Sequence, residues 1–284
     1  MTAQALSAPR RALRGWWRRP GALIGVLVVV GLIVLLAGAE VIAPYGDNRP
    51  DTANRLQGPS AAHWLGSDHL GRDLFSRLVY GTRVAMGVAL PGVLGALAVG
   101  LSIGLVAGYV GGWLDSVVLV LLDTVQALPA VVLALAVLAL LGPSTGNVIG
   151  VIIIAFAPGY ARVARAQVMA VRTNQYIEAA RALGASTPRI LLTHALPNII
   201  APLLVLVAMD LPGAITFEAG LSFLGLGVRP PTPSWGVILA DGFQRIRESP
   251  WAVLWASTAL AVTTLGFTLF GEARRDLLDP DARQ

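Results

Sequence analysis

Long apolar runs separated by short, arginine-bearing segments set the pattern of this chain. A helix needs about 20 mostly apolar residues to cross a bilayer, and the pattern predicts six such crossings. The first covers about residues 21–43 and the second about 84–107. Residues 124–161 then run for 38 positions without a charge, too many for one crossing. Gly142-Pro143-Ser144-Thr145-Gly146-Asn147 interrupts that run with turn chemistry, which predicts a helical hairpin. The third span therefore covers about 117–141 and the fourth starts near 148 and runs into 161. The fifth and sixth cover about 199–221 and 250–271. This is the pattern of an all-α polytopic membrane protein.

The first run follows Arg10, Arg11, Arg14, Arg18 and Arg19, with Trp16 and Trp17 at the expected interface. Ala37-Gly38-Ala39 mimics a signal cleavage site, but the apolar run exceeds the roughly 7–15 residues of a signal core. A retained anchor is expected. With the N-terminus inside, the cytoplasmic segments hold 13 arginines and the outer ones 8, a bias that favours both termini inside. The organisation expected is a cytoplasmic tail over 1–20, a six-span domain over 21–271 with a cytoplasmic loop at about 162–198, and a cytoplasmic tail over 272–284.

Composition narrows the chemistry. Apolar residues make up 55% and charged ones 13%, so little of the chain can face water. All 21 basic residues are Arg. Without Lys the chain can build neither a Walker A phosphate loop nor a Schiff base. Without Cys it has no disulfide, thiolate nucleophile or Cys-ligated metal. The net charge of +5 comes from arginines scattered between apolar spans, which fits anionic lipid better than nucleic acid.

Residues 176–183 fit a short amphipathic helix. At 100° per residue Tyr176, Ala179, Ala180 and Leu183 share one face, with Glu178 and Arg181 opposite. Gly184 can take a left-handed stop, and Ser186 or Thr187 before Pro188 reads as a fresh N-cap. The result is a helix–turn–helix knob. The pattern alone fits an interfacial helix between two spans as well as a docking knob for another protein. The string Glu178-Ala179-Ala180, three residues, Gly184, then Leu196-Pro197 resembles the cytoplasmic "EAA" loop of ABC importer permeases. Where that motif usually has Ile three residues before its final Pro, this chain has His194, as in the peptide-importer branch.

Further stretches narrow the resemblance. Residues 221–236, LSFLGLGVRPPTPSWG, are similar to the stretch after the fifth span in C-type permeases of dipeptide, oligopeptide and nickel importers. Residues 65–77, LGSDHLGRDLFSR, resemble their first outer loop, and 108–115 and 275–280 also fit. The resemblance implies a type I ABC importer permease fold with six transmembrane helices in a bacterial inner membrane. It implies a heterodimer with a homologous B-type permease, two cytoplasmic ATPase subunits and an extracytoplasmic substrate-binding protein. ATP and Mg would be bound by those ATPases, with no cofactor on this chain. It assigns ATPase coupling to Glu178, Ala179, Ala180, Arg181, Leu183 and Gly184, and a peptide substrate, with nickel or another small solute as the alternative.

Three carboxylates fall within predicted spans: Asp123, Asp210 and Glu218. A charge at mid-bilayer costs roughly 2.5–3.5 kcal/mol on insertion scales, so each is expected to face protein or water. Asp210, about 16 Å into the fifth span at 1.5 Å per residue, is placed nearest the midplane. These are candidate pathway residues or buried structural contacts. Leu74, Phe75, Leu78 and Val79 share one helical face, as expected of a helix lying on the outer membrane surface or capping the pore, or equally of one that only packs the outer loop. Pro230, Pro231 and Pro233 exclude a regular helix there, so 225–249 is expected to be an ordered loop, with Trp235 at the headgroups. His63, Asp68 and His69 match no regular metal-ligand spacing. The histidines, all outside span cores, give an intramembrane hydrolase no Ser–His or zinc route. A secondary transporter predicts an internal repeat and paired broken helices, and the sequence has neither.

Overall fold

The apolar runs fold as helices, one of them broken in two, in the computed structural model, which describes residues 20–278 and side chains to Glu272. The tail with Trp16, Trp17 and its five arginines, residues 279–284, and the side chains of Arg274 and Arg275 lie outside the described residues. Helix α1 (Pro20–Ile42) is followed by a long segment with a single 3-10 turn at Thr52–Asn54. Then come α2 (Leu74–Val110), α3 (Gly112–Ala127), α4 (Ala130–Leu141), α5 (Thr145–Val171) and the short α6 (Gln175–Ala182). Helix α7 (Thr187–Phe223) contains a π-helical segment at Ile190–Ala195, and α8 (Trp235–Phe243) and α9 (Trp251–Leu278) complete the order. Among the described residues five helices are long and apolar enough to cross a membrane, and α3 with α4 makes a sixth span if that bent pair is one crossing.

The third span is not the single helix expected over 117–141. It bends by 84° between α3 and α4. The cause is local: Pro129 has no N–H to give, and its ring drives Leu128 out of the helical region, to φ −86°, ψ 130°. The turn expected after it forms as read. Gly142 stands at φ 80°, Ser144 accepts from Asn147 N at 3.1 Å, and the Asn147 amide bonds Gly142 O at 2.8 Å.

The described residues divide into two compact units, one of 20–87 with 211–278 and one of 88–210, so that α2 and α7 each contribute to both. In the first unit α1 packs along α9. A side chain at Gly25 would lie 2.6 Å from Phe270 N, so only a missing Cβ allows that approach. The segment before α2 is tied by charge. Asp68 accepts from the Leu70 and Arg72 amides at 2.8 and 3.0 Å and from Arg72 Nε at 2.6 Å. Arg72 also reaches Asp241 of α8 at 3.6 Å.

Two expectations for this unit need correction. Leu74, Leu78 and Val79 are buried, and so are Asp73, Ser76 and Arg77 opposite them. This is therefore no surface helix; the alternative, a helix packing the outer loop, is the one that fits, with Phe75 against Trp64 of that loop at 5.0 Å between ring centroids. It is the start of α2, where Asp73 accepts from Ser76 N at 2.8 Å as the cap. The prolines do keep residues 230–233 non-helical, but α8 begins directly after them, with Ser234 as N-cap bonding Gly236 N at 3.1 Å. Trp235 is 3% exposed and donates from Nε1 to Leu78 O at 2.9 Å. It anchors α8 to α2 instead of meeting headgroups.

In the second unit a ladder of glycines along α2 faces α5. Side chains added at Gly100 and Gly104 would lie 2.6 Å from Tyr160 Cβ and 2.7 Å from Ala164 Cβ. Without a hydrophobic force between helices in lipid, such close backbone approach supplies the packing attraction that holds them together.

Candidate coupling site

Helix α6 and the turn after it form the knob read from the sequence. Asn174 starts the helix through its carbonyl, which accepts from Ile177 N at 2.9 Å. Glu178 in the first turn and Arg181 in the last both complement the helix dipole. The stop is a left-handed Gly184 at φ 79°. Gly184 N bonds Arg181 O and Ala185 N bonds Ala180 O, both at 3.0 Å, which satisfies two carbonyls otherwise orphaned at the helix end. The next helix starts with Ser186 as its N-cap position and Pro188 in its first turn, although the Ser186 side chain makes no cap bond.

Burial decides which face is available. Ile177 is fully buried and holds α6 to its own unit. Glu178, Ala179, Arg181 and Gly184 are exposed and Ala180 is half-buried. Tyr176 and Leu183 are 43% and 88% exposed. A leucine so open at the tip of a turn, beside small alanines, presents an apolar and sterically low surface. Ile177, between Tyr176 and Glu178, falls on neither face that the helical periodicity assigns, which is why its anchoring role is not legible in the sequence.

Arginines of this region are held one by one. Arg165 forms a bidentate pair with Asp115. Arg162 meets Asp123 at 2.5 Å, so this carboxylate faces a cation of α5. Arg172 donates to Gly108 O at 3.0 Å. Arg181 donates to the Tyr109 hydroxyl at 3.2 Å. Downstream, Pro197 lacks the N–H that would continue a regular ladder, and the π segment precedes it, with Leu196 N bonding Leu191 O.

The other two carboxylates occupy different settings. Asp210 is half-buried in the second unit with the Tyr160 phenol as its neighbour. Glu218 is fully buried, and its Oε1 accepts from Ser222 Oγ at 2.6 Å and Ser234 Oγ at 2.8 Å. Those hydroxyls in turn accept from Val228 N and Gly236 N, at 3.0 and 3.1 Å. Glu218 thus holds both ends of the loop between α7 and α8. Ser222, one helical turn after Glu218, was the legible part of this cluster; Ser234 was not.

Among the described residues no three metal-binding side chains come together. His63 is paired with Asp73 at 2.9 Å and Asp68 with Arg72, while His69 Nδ1 is buried without a hydrogen-bond partner.

Residues 100–284 match the family model described as binding-protein-dependent transport system inner membrane component. The chain is 38% identical to the dipeptide transport system permease protein of Alkalihalophilus pseudofirmus, over 97% of this chain and 91% of that one. It is also 38% identical to a glutathione transport system permease protein of Escherichia coli, over 99% of this chain and 95% of that one. A solved methionine ABC transporter in inward-facing conformations overlays with a TM-score of 0.56 at 19% identity, covering 71% of this chain and 95% of that one. The fold is that of an ABC transporter permease.

Proposed function

The chain belongs to the family of binding-protein-dependent transport system inner membrane components, and on that premise we propose that it is a pore-forming subunit of an ATP-driven importer of short peptides. The observation that carries the substrate is the near full-length similarity to dipeptide and glutathione permeases, both named for short peptidic solutes. It is a multi-pass inner-membrane protein and a transport subunit, so ATP hydrolysis belongs to partner ATPases and substrate capture to a binding protein. A homologous B-type permease completes the pore, and both termini face the cytoplasm with the knob. The exposed face of α6 and its turn, with Glu178, Ala179, Ala180, Arg181, Leu183 and Gly184, docks an ATPase and receives its closing motion.

The spans convert that motion into alternating access. Asp210, half-buried in a span, lines the path and meets the ammonium group of a passing peptide. Glu218 acts by fixing the loop between α7 and α8 through Ser222 and Ser234. The test is uptake into vesicles holding the complete transporter with its binding protein, using labelled di- to pentapeptides beside nickel. Peptide uptake is expected. Nickel uptake without any peptide uptake overturns the substrate.

A further inference from the structure

Resting on that coupling role for α6, we infer that Tyr109, in the last turn of α2, is the residue through which the knob moves the second span. Arg181 of α6 touches it twice. Its terminal nitrogen donates to the Tyr109 hydroxyl at 3.2 Å, and its guanidinium carbon lies 5.6 Å from the ring centroid, within cation–π range. At the residue directly before Tyr109, Arg172 donates to Gly108 O at 3.0 Å and caps the end of α2. Gly108 itself lies so close to α5 that an added Cβ would meet Arg165 O at 2.8 Å. The end of α2 is therefore wedged against α5, capped by Arg172 and clasped by Arg181.

Directly beyond the clasp the chain is built to swivel. Gly111, the one residue between α2 and α3, and Gly112, the first of α3, both take positive φ, 70° and 62°. A displacement of α6 thus passes into α2 through Tyr109, while α3 is held separately to α5 by Arg165 and Asp115. The Arg181–Tyr109 contact is exposed, and exposed polar contacts add little to folding stability. Tyr109 is a positioning residue: its loss shows in coupling and leaves assembly intact.

The experiment measures substrate transported per ATP hydrolysed in the reconstituted transporter. Tyr109→Ala removes ring and hydroxyl, and the ratio is expected to fall about fivefold or more, the lower edge of typical coupling between sites, with complex yield and basal ATP hydrolysis unchanged. Tyr109→Phe, which keeps the ring, is expected to lose less. Arg181→Ala, which also alters the docking face, is expected to lower the ratio at least as far, and adding Tyr109→Ala to it lowers the ratio no further. An unchanged ratio in Tyr109→Ala, or additive losses in the double variant, overturns the inference. Should Tyr109→Ala fail to assemble, covalent linkage decides. In this cysteine-free chain, a Tyr109→Cys, Arg181→Cys pair joined by a flexible bifunctional maleimide is expected to regain transport lost in the unlinked pair. A link that blocks transport shows that the two elements must separate and sinks the inference. A wild-type complex with no substrate-stimulated ATP hydrolysis contradicts the coupling role itself instead.

Discussion

Gly184 offers a way to separate backbone conformation from side-chain size at the knob. Its φ of 79° lies in the left-handed region, and a Cβ built there meets nothing within 4 Å. Substitution therefore carries no packing penalty, only the backbone one. For an L-residue the left-handed conformation costs roughly 1–2 kcal/mol, which shifts the population holding the native turn by about 5- to 30-fold. Asn tolerates this region well and Ala less so, while a β-branched side chain is a genuine outlier there. Pro adds a fixed φ near −65° and deletes the Gly184 N to Arg181 O bond. Substrate-stimulated ATP hydrolysis is thus expected to fall in the order Gly, Asn, Ala, Val, Pro, with Asn close to wild type and Pro inactive, while membrane insertion survives throughout. The assay is ATPase rate in reconstituted complexes with saturating binding protein and substrate. Because Asn is larger than Ala, a ranking by volume is the reverse for that pair. If Gly184→Asn proves worse than Gly184→Ala, or Gly184→Val retains full stimulation, the turn's conformation is not what matters.

At Gly104 the opposite logic applies. Leu there must displace Ala164 of α5, and overpacking of about 1–3 kcal/mol is expected to lower the thermal midpoint in detergent; an unchanged midpoint contradicts the close α2–α5 approach. His69 predicts a pH response. Burial outweighs the nearby Asp241 and Asp68 carboxylates, with Arg245 and Arg72 also opposing protonation, and holds its pKa below the ordinary 6.5. As pH falls through that value the unfolded chain takes a proton that the folded chain resists, so stability declines. His69→Asn is expected to flatten this part of a stability–pH profile, and a profile identical to wild type removes the ring from the account. For topology, single cysteines at the exposed Ser60 and Thr232 should react with an impermeant thiol reagent in intact cells and one at Ser186 should not; labelling of Ser186 from outside inverts the assignment.

Much of this architecture was legible because lipid imposes a simple rule. Backbone groups in hydrocarbon must bond within their own segment, so apolar runs become helices and turn residues such as Gly142 and Ser144 become turns. The knob was legible for a similar reason: Gly184 and Pro188 punctuate a polar stretch whose local chemistry settles its own shape. Features that depend on distant residues were hidden. The bend at Leu128–Pro129 had a signal in Pro129, but uninterrupted hydropathy around it masked the break. The repeat of Gly100, Gly104 and Gly108 at every fourth position was visible, and only the partner helix showed that it is a contact face. Nothing near Trp235 in sequence revealed that its ring nitrogen would find the carbonyl of Leu78. Charges showed the same split, since Asp123 and Glu218 found partners in Arg162 and Ser234 only once the chain had folded.

On the function proposed, the uncovered face of α6 and its turn is where an ATPase docks and drives the spans. Leu183, 88% exposed at the tip of that turn, is the position from which to test it. In the purified complete transporter, Leu183→Cys carrying a cleavable photo-crosslinker should give an adduct with an ATPase subunit. Transport should stop on illumination and return on cleavage, whereas the same probe at Ser60 should give no such adduct. Absence of any ATPase adduct from Leu183, Ala179 and Tyr176 alike, in a complex that still transports, contradicts the account.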